Sequence, residues 1–334
     1  MNRPTILCPI DFSGASAGAL RYAAAIAARL SSRLIVLTVE DPLMTEAVDL
    51  GTGIVWSPED CRAQIERFTA KSLGPDAPAP IDVDYEVAVG RTAAETLRVA
   101  RERACNLIVM STHGVTGIRK LFFGSTTERV LRETSVPVLL TPADAGSAEI
   151  GDAKRLIRRI MVPVDLTPAS AAQVQAGLFL AAALSVPLLL LTVVEPLRTP
   201  LAARLNLAGL EADRRAVAED GLSALVSSLP PGPHPEALVA YGDPAEEAVK
   251  VAHDRRAGLI VMGLHASPLL GPRIGSMTYR VLCLYHGLVL ALPPGPVDAA
   301  SLGLAASGLD ARHAPRAEPV SQRTRKGAAV TERS

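Results

Sequence analysis

Asn106-Leu107-Ile108-Val109-Met110 runs into Ser111-Thr112-His113-Gly114-Val115-Thr116-Gly117-Ile118-Arg119-Lys120-Leu121-Phe122-Phe123-Gly124-Ser125-Thr126-Thr127-Glu128. The run ending at Met110 reads as a short buried strand of a parallel sheet. From Ser125 a helix is predicted, with Ser125 as N-cap and Glu128 completing a capping box. A small-residue loop between a strand and a helix N-terminus is a ready anion site. Unpaired backbone N–H groups and the positive dipole end face the same point. Gly114 and Gly124 let a backbone approach a phosphate without a Cβ in the way. Neither GxxxxGK[ST] nor GxGxxG occurs in the chain, so this is not a Walker loop. Taken alone, the stretch leaves two readings open: a phosphate cradle, or a plain helix start.

The rest of the chain repeats the same plan. Ile6-Leu7-Cys8-Pro9-Ile10-Asp11-Phe12-Ser13 returns as Ile160-Met161-Val162-Pro163-Val164-Asp165-Leu166-Thr167, 154 residues later. Leu37-Thr38-Val39 returns as Leu191-Thr192-Val193 at the same offset. Leu107 to Met110 returns as Leu259 to Met262, His113 as His265, and Gly124-Ser125 as Gly275-Ser276, with offsets of 152, 152 and 151. Ordered matches with a slowly drifting offset mark duplication of a whole domain. Within each repeat, apolar strands alternate with helical stretches, which predicts a doubly wound, mostly parallel five-stranded sheet. In the first half the strands are expected at 5–10, 33–39, 82–88, 106–110 and 136–140. Pro168 after Thr167 predicts a helix start. Ligands of such sheets lie outside the carboxyl ends of the strands. That places Asp11, Val39-Glu40 and Met110 to Gly114 together.

Composition limits the alternatives. The chain has 334 residues, enough for two cores, and only 3% aromatics, so those cores are aliphatic. Lys plus Arg equals Asp plus Glu at 34 each, so no basic field argues for nucleic acid. Cys8, Cys61, Cys105 and Cys283 form no CxxC or metal spacing, and three of them lie in or beside apolar stretches, which suits buried thiols in a reducing cytosol. No secretory signal is read at the start, since Asp11 interrupts the first apolar run. Leu166 to Val194 carries no charge, and length and polarity alone allow a membrane span. Pro187 splits that run, however, so a buried helix followed by a central strand is the preferred reading.

With these motifs assembled, the chain resembles a tandem universal stress protein over about residues 4–142 and 157–293. The resemblance implies two Rossmann-like domains of the adenine nucleotide alpha hydrolase type, at 1–145 and 157–297, with a linker at 146–156. It also implies ATP, alone or with Mg2+, as ligand of the family's nucleotide-binding branch. There an Asp ends the first strand, and a Gly-x-x-Gly, nine-residue, Gly-Ser/Thr pattern follows the fourth. Carried over, it places Pro9, Asp11 and Val39 at the nucleoside, and Met110, Ser111, His113, Gly114, Gly124, Ser125, Thr126 and Thr127 around the phosphates. Ser111 departs from the pattern, which has its first Gly there. A possible second site would comprise Asp165, Val193, Gly263, His265, Gly275 and Ser276. Its second Gly is Ala266, and its loop is a residue shorter and carries Pro268 and Pro272, so poor binding or none is expected.

Plainer readings stand beside these. Asp11 and Asp165 each suit a helix-capping role. His113 and His265 have no metal-ligand neighbours, so neither a metal site nor a catalytic residue is assigned. Arg119 and Lys120 suit phosphate neutralisation or a solvated loop face. Residues 298–334 read as a disordered, basic-ended tail. Three functional classes follow: an ATP-responsive cytoplasmic regulator acting on an unidentified protein partner, a slow ATPase, and a nucleotide-free dimerisation scaffold. The first is preferred. The halves are expected to form an intrachain pseudo-dimer through the final strands, Val136 to Leu140 and Leu288 to Leu292, with a homodimer as a further option. No nucleic-acid or membrane partner is expected.

Overall fold

The computed structural model describes residues 3–42, 57–74, 81–112, 124–142, 157–197, 208–230, 234–267 and 271–295. The first half runs β1 (Thr5–Ile10), α1 (Gly14–Leu30), β2 (Arg33–Glu40), α2 (Pro58–Leu73), β3 (Asp82–Val89), α3 (Thr92–Glu102), β4 (Leu107–Ser111), α4 (Ser125–Glu133) and β5 (Val138–Thr141). The second half begins with β6 (Ile160–Pro163), a 3-10 turn at Pro168–Ser170, α5 (Ala171–Leu184), β7 (Leu188–Val194) and α6 (Ala208–Ser227). It continues with β8 (Glu236–Tyr241), α7 (Pro244–Asp254), β9 (Leu259–Gly263), a hairpin of β10 (His265–Ser267) and β11 (Gly271–Arg273), α8 (Ser276–Leu284) and β12 (Leu288–Leu292). The linker and tail assigned to 146–156 and 298–334 lie outside the described residues.

Local chemistry sets the boundaries. Ser13 caps α1, its hydroxyl accepting the Ser16 N–H at 3.1 Å, and Ser57 and Asp243 cap α2 and α7 in the same way. Ser31 and Ser185 end α1 and α5 in left-handed conformation, so the repeat extends to the helix stops. Two sequence expectations are corrected here. α4 is capped by Gly124 rather than Ser125, without a side-chain cap bond, and Glu128 pairs with Arg132 instead of closing a capping box. The fifth strand begins at Val138, because Thr134 folds onto Val136, taking its N–H at 2.9 Å and donating to its carbonyl at 2.6 Å. The uncharged run 166–194 divides into the 3-10 turn, a fourteen-residue helix and β7. No helix among the described residues is long and apolar enough to cross a membrane.

All ten long strands form one sheet, in the order β3-β2-β1-β4-β5-β12-β9-β6-β7-β8. Every neighbour pair is parallel except β5 with β12, where Val138, Leu139 and Leu140 face Ala291, Leu290 and Val289. The final strands therefore join the halves as expected, about a pseudo-two-fold axis near the Leu139–Leu290 pair. Side chains alternate across the pleat, so Ile6, Cys8 and Ile10 enter the core on one face and Leu7 that on the other. Both cores run through both halves. Alanines such as Ala19, Ala23, Ala24 and Ala27 bring α1 close to the sheet, which is how a chain poor in aromatics reaches a packed interior.

Candidate functional site

β2, β1 and β4 are adjacent and parallel, so their carboxyl ends open on one edge of the sheet. Pro9 is half-buried in β1 and Val39 half-buried in β2, where it pairs with Ala88 of β3. Asp11 follows β1, exposed. Its Oδ1 accepts the Ser13 N–H at 3.1 Å and the Ser13 hydroxyl at 2.5 Å, so this carboxylate orders the cap of α1. Asp11 thus braces the capping residue, and Ser13 does the capping.

Between them stands a feature the sequence hid. Phe12 has φ +59°, and its counterpart Leu166 also has φ +59°. Bulky residues rarely adopt this left-handed conformation, which costs roughly 1–3 kcal/mol each. Packing holds both in place. The Phe12 ring meets Phe68 of α2 edge-on, with centroids 5.3 Å apart. Leu166 lies over Gly221 of α6, where an added Cβ would come within 3.0 Å of its Cδ1. The turn that carries each Asp is thus fixed from a distant helix.

Met110 is buried at the end of β4, and Ser111 is half-buried in extended strand conformation. Ser111 has no positive φ, so the glycine of the family pattern is not needed here for backbone freedom. Thr127, buried in the first turn of α4, donates its hydroxyl to the Ser111 carbonyl at 3.1 Å. Gly124 N–H donates to the Thr112 carbonyl at 3.1 Å. These two bonds clamp the start of α4 onto the end of β4. Residues 113–123, including the predicted His113 and Gly114 and the basic Arg119 and Lys120, lie outside the described residues. Beyond Gly124 the helix opens with Ser125 exposed and Thr126 half-buried, and among the described residues no side chain caps it. A helix terminus of this kind can take an anion.

The second half repeats the frame with changed contents. Thr278 donates to the Gly263 carbonyl at 3.2 Å, as Thr127 does to Ser111, and Gly275 starts α8 without a side-chain cap. Ser276 is exposed and Val193 is half-buried. The loop has become the β10–β11 hairpin, in which His265 pairs with Arg273 and Ala266 with Pro272. Asp165 Oδ1 accepts from the Thr167 N–H at 3.0 Å, the Thr167 hydroxyl at 2.8 Å and the Ser170 hydroxyl at 2.6 Å. Burial raises the Asp165 pKa, but these hydrogen bonds outweigh it and hold the carboxyl below its usual range. In the first half Ser16, the counterpart of Ser170, donates instead to the Ser13 carbonyl at 3.0 Å.

A second substitution pair is more telling. A Cβ on Gly263 would lie 2.5 Å from Nε2 of Gln173, so the α5 amide occupies the space beside the end of β9. The corresponding pair in the first half is Ser111 and Ala19. Where the strand carries a side chain the helix carries a methyl, and where the strand is bare the helix supplies an amide. Among the described residues no cluster of three His, Cys, Asp or Glu could hold an ion.

The sequence profile of the universal stress protein family matches residues 2–142 and again 156–285. A universal stress protein of Bacillus subtilis (strain 168) is 31% identical over 143 residues, covering 40% of this chain and 96% of the relative. Another, from Methanocaldococcus jannaschii, is 27% identical over 149 residues, covering 40% and 92%. Among solved structures, a universal stress protein from Archaeoglobus fulgidus aligns with TM-score 0.56 and 16% identity over 88% of this chain and all of that one (100%). A functionally unknown protein from Pseudomonas aeruginosa gives 0.59 and 17%, over 91% and 97%. At those identities the structures speak for the fold, and they do so across both halves. The chain belongs to the universal stress protein family, as a tandem member with two copies of the fold in one polypeptide.

Proposed function

We propose that the chain is an ATP-binding regulatory protein of the stress response, with nucleotide held mainly in the first half and no robust turnover. The observation that carries this reading is the start of α4 at Gly124, which no side chain among the described residues caps and which Thr127 clamps to the carboxyl end of β4. In this reading the triphosphate takes the N–H groups of Ser125, Thr126 and Thr127 and the hydroxyls of Ser125 and Thr126, with Gly124, Gly114 and His113 lining its approach. Pro9, Asp11 and the Val39 backbone hold the nucleoside, and Met110 and Ser111 form the floor. Mg2+, when bound, would neutralise phosphate charge from the solvent side, since the protein offers it no carboxylate cluster among the described residues. The bound nucleotide then sets which protein partner is engaged, in the cytoplasm. Units at 1–145 and 157–297 act as holder and pseudo-dimer mate. The reading of the second half as weak or inert draws support from the three local hydrogen bonds on Asp165 Oδ1 and from the Gln173 amide at the end of β9.

Nucleotide content tests this. The protein is purified, denatured, and its released nucleotides quantified against chain concentration. About one ATP per chain is the expected result. No nucleotide, and no binding of added ATP with Mg2+, overturns the proposal in favour of a nucleotide-free scaffold. ADP with sustained phosphate release favours the slow ATPase.

A further inference from the structure

On the sheet face covered by α1 and α5, a cavity of about 80 Å³ lies over the joint between the halves. Its walls come in pairs related by the repeat: Ile26 with Leu180 and Leu30 with Leu184 on the helices, and Leu139 with Leu290 on the sheet. The pseudo-two-fold axis therefore passes through an almost wholly apolar space. Water gains nothing there, because a buried water needs two to four polar partners. Two residues break the symmetry, Ile157, whose counterpart is Arg3, and Arg29. Arg29, exposed in the last turn of α1, lines the cavity where the repeat has Ala183 on the other side, and it forms no ion pair among the described residues.

We infer that this cavity is a binding site for a short unbranched carboxylate, its alkyl chain between α1 and α5 and its head group on Arg29. Size, polarity and charge each select this class. The volume is about half that of a cavity that takes up benzene, so it encloses roughly three or four carbons. The apolar walls reject a polar body, and Arg29, the one cation among the lining residues and exposed to solvent, supplies a match for a carboxylate at the cavity's edge. The missing second charge gives the ligand one orientation across a nearly symmetric seam. Because both halves contribute walls, the ligand bridges the two domains. The inference stands on this cavity alone and is independent of the nucleotide reading.

The test uses the full chain with propionate, butyrate and pentanoate, followed by methyl NMR of Ile and Leu. Saturable shifts are expected at Ile26, Leu139 and Leu180, with affinity rising about fourfold per added methylene until the cavity is filled. Pentanoate should bind at least about tenfold better than pentanol, a gap that Arg29→Gln removes. Leu184→Phe, at a half-buried position, fills the space and should cut pentanoate affinity about tenfold or more without lowering the melting point. No saturable shift at those methyls by about 10 mM pentanoate overturns the site. Equal binding of pentanol and pentanoate to the parent chain overturns the carboxylate assignment.

Discussion

Replacing Ser125 by Glu separates phosphate binding from helix stability. Ser125 is the first residue of α4, exposed, in a helix that starts from Gly124 without a side-chain cap. A carboxylate in that turn meets the positive end of the helix dipole, a gain of about 0.3–1 kcal/mol at an exposed site. The melting point should therefore stay level or rise. The same carboxylate competes with a bound phosphate for the same N–H groups. At roughly 6 Å, with an effective dielectric of about 40, each pair of unit charges costs about 1.4 kcal/mol. A triphosphate brings more than one charge within a Debye length of about 8 Å. ATP affinity should fall about ten- to hundredfold by titration calorimetry at fixed ionic strength. Adenosine, which carries no phosphate, should bind as before, and Ser125→Gln controls for size. A Ser125→Glu protein that binds ATP like its parent, with an unchanged or higher melting point, refutes the placement of the phosphates at α4.

Three further outcomes follow from packing and titration. Gly177→Ala puts a Cβ 2.6 Å from Cγ2 of Val162, so it should destabilise the fold by about 1–3 kcal/mol in urea titrations despite alanine's better helix propensity. Adding Val162→Ala should recover part of that loss, since the first half already pairs Ala23 with Cys8, and strict additivity would show that the contact is not the cause. Asp165 has a lowered pKa, so its ionised form contributes stability above the unfolded carboxylate range, and this is lost as pH falls through the lower folded value. Asp165→Asn should therefore be less stable than the parent at pH 7, with the gap closing below about pH 4; a gap that stays constant with pH contradicts the hydrogen-bonded carboxylate. Burial raises the Cys105 thiol to about 12 and Cys8 further, so both should resist alkylation at pH 8 until the chain unfolds.

Much of this architecture is legible in the sequence because duplication states it twice. A single apolar run is ambiguous, but Leu107 to Met110 and Leu259 to Met262, each followed by a helix start, leave little choice of fold. The joint through the last strands was also legible, because two apolar strands at domain ends need covering. Other features were not. Gly124 replaced Ser125 as N-cap because its N–H is drawn to the Thr112 carbonyl, a tertiary contact no local rule contains. The left-handed Phe12 and Leu166 carry no local signal, since bulky apolar residues argue against that conformation. Only Phe68 and Gly221, far along the chain, explain them. The β10–β11 hairpin was masked by Pro272, which a two-stranded ribbon tolerates at an unpaired edge.

The pairs Ala19–Ser111 and Gln173–Gly263 lead to a different view of how the two halves diverged. Read along the chain, Gly263 looks like the better match to a phosphate-binding pattern and Ser111 like the defect. Read in space, the order reverses. Neither position takes a positive φ, so what glycine offers there is room, and in the second half that room is filled by an amide from α5. The motif survives in the letters while the space it would serve is occupied. In the first half Ala19, the counterpart of Gln173, carries no amide to fill that room, and the end of β4 is tied to the first turn of α4 through Thr127. At this position a glycine is therefore no measure of free space, because the volume at a strand end is set jointly with the helix packed against it. The partner residue sits some ninety positions away in sequence, so only the folded chain brings the two terms of that sum together.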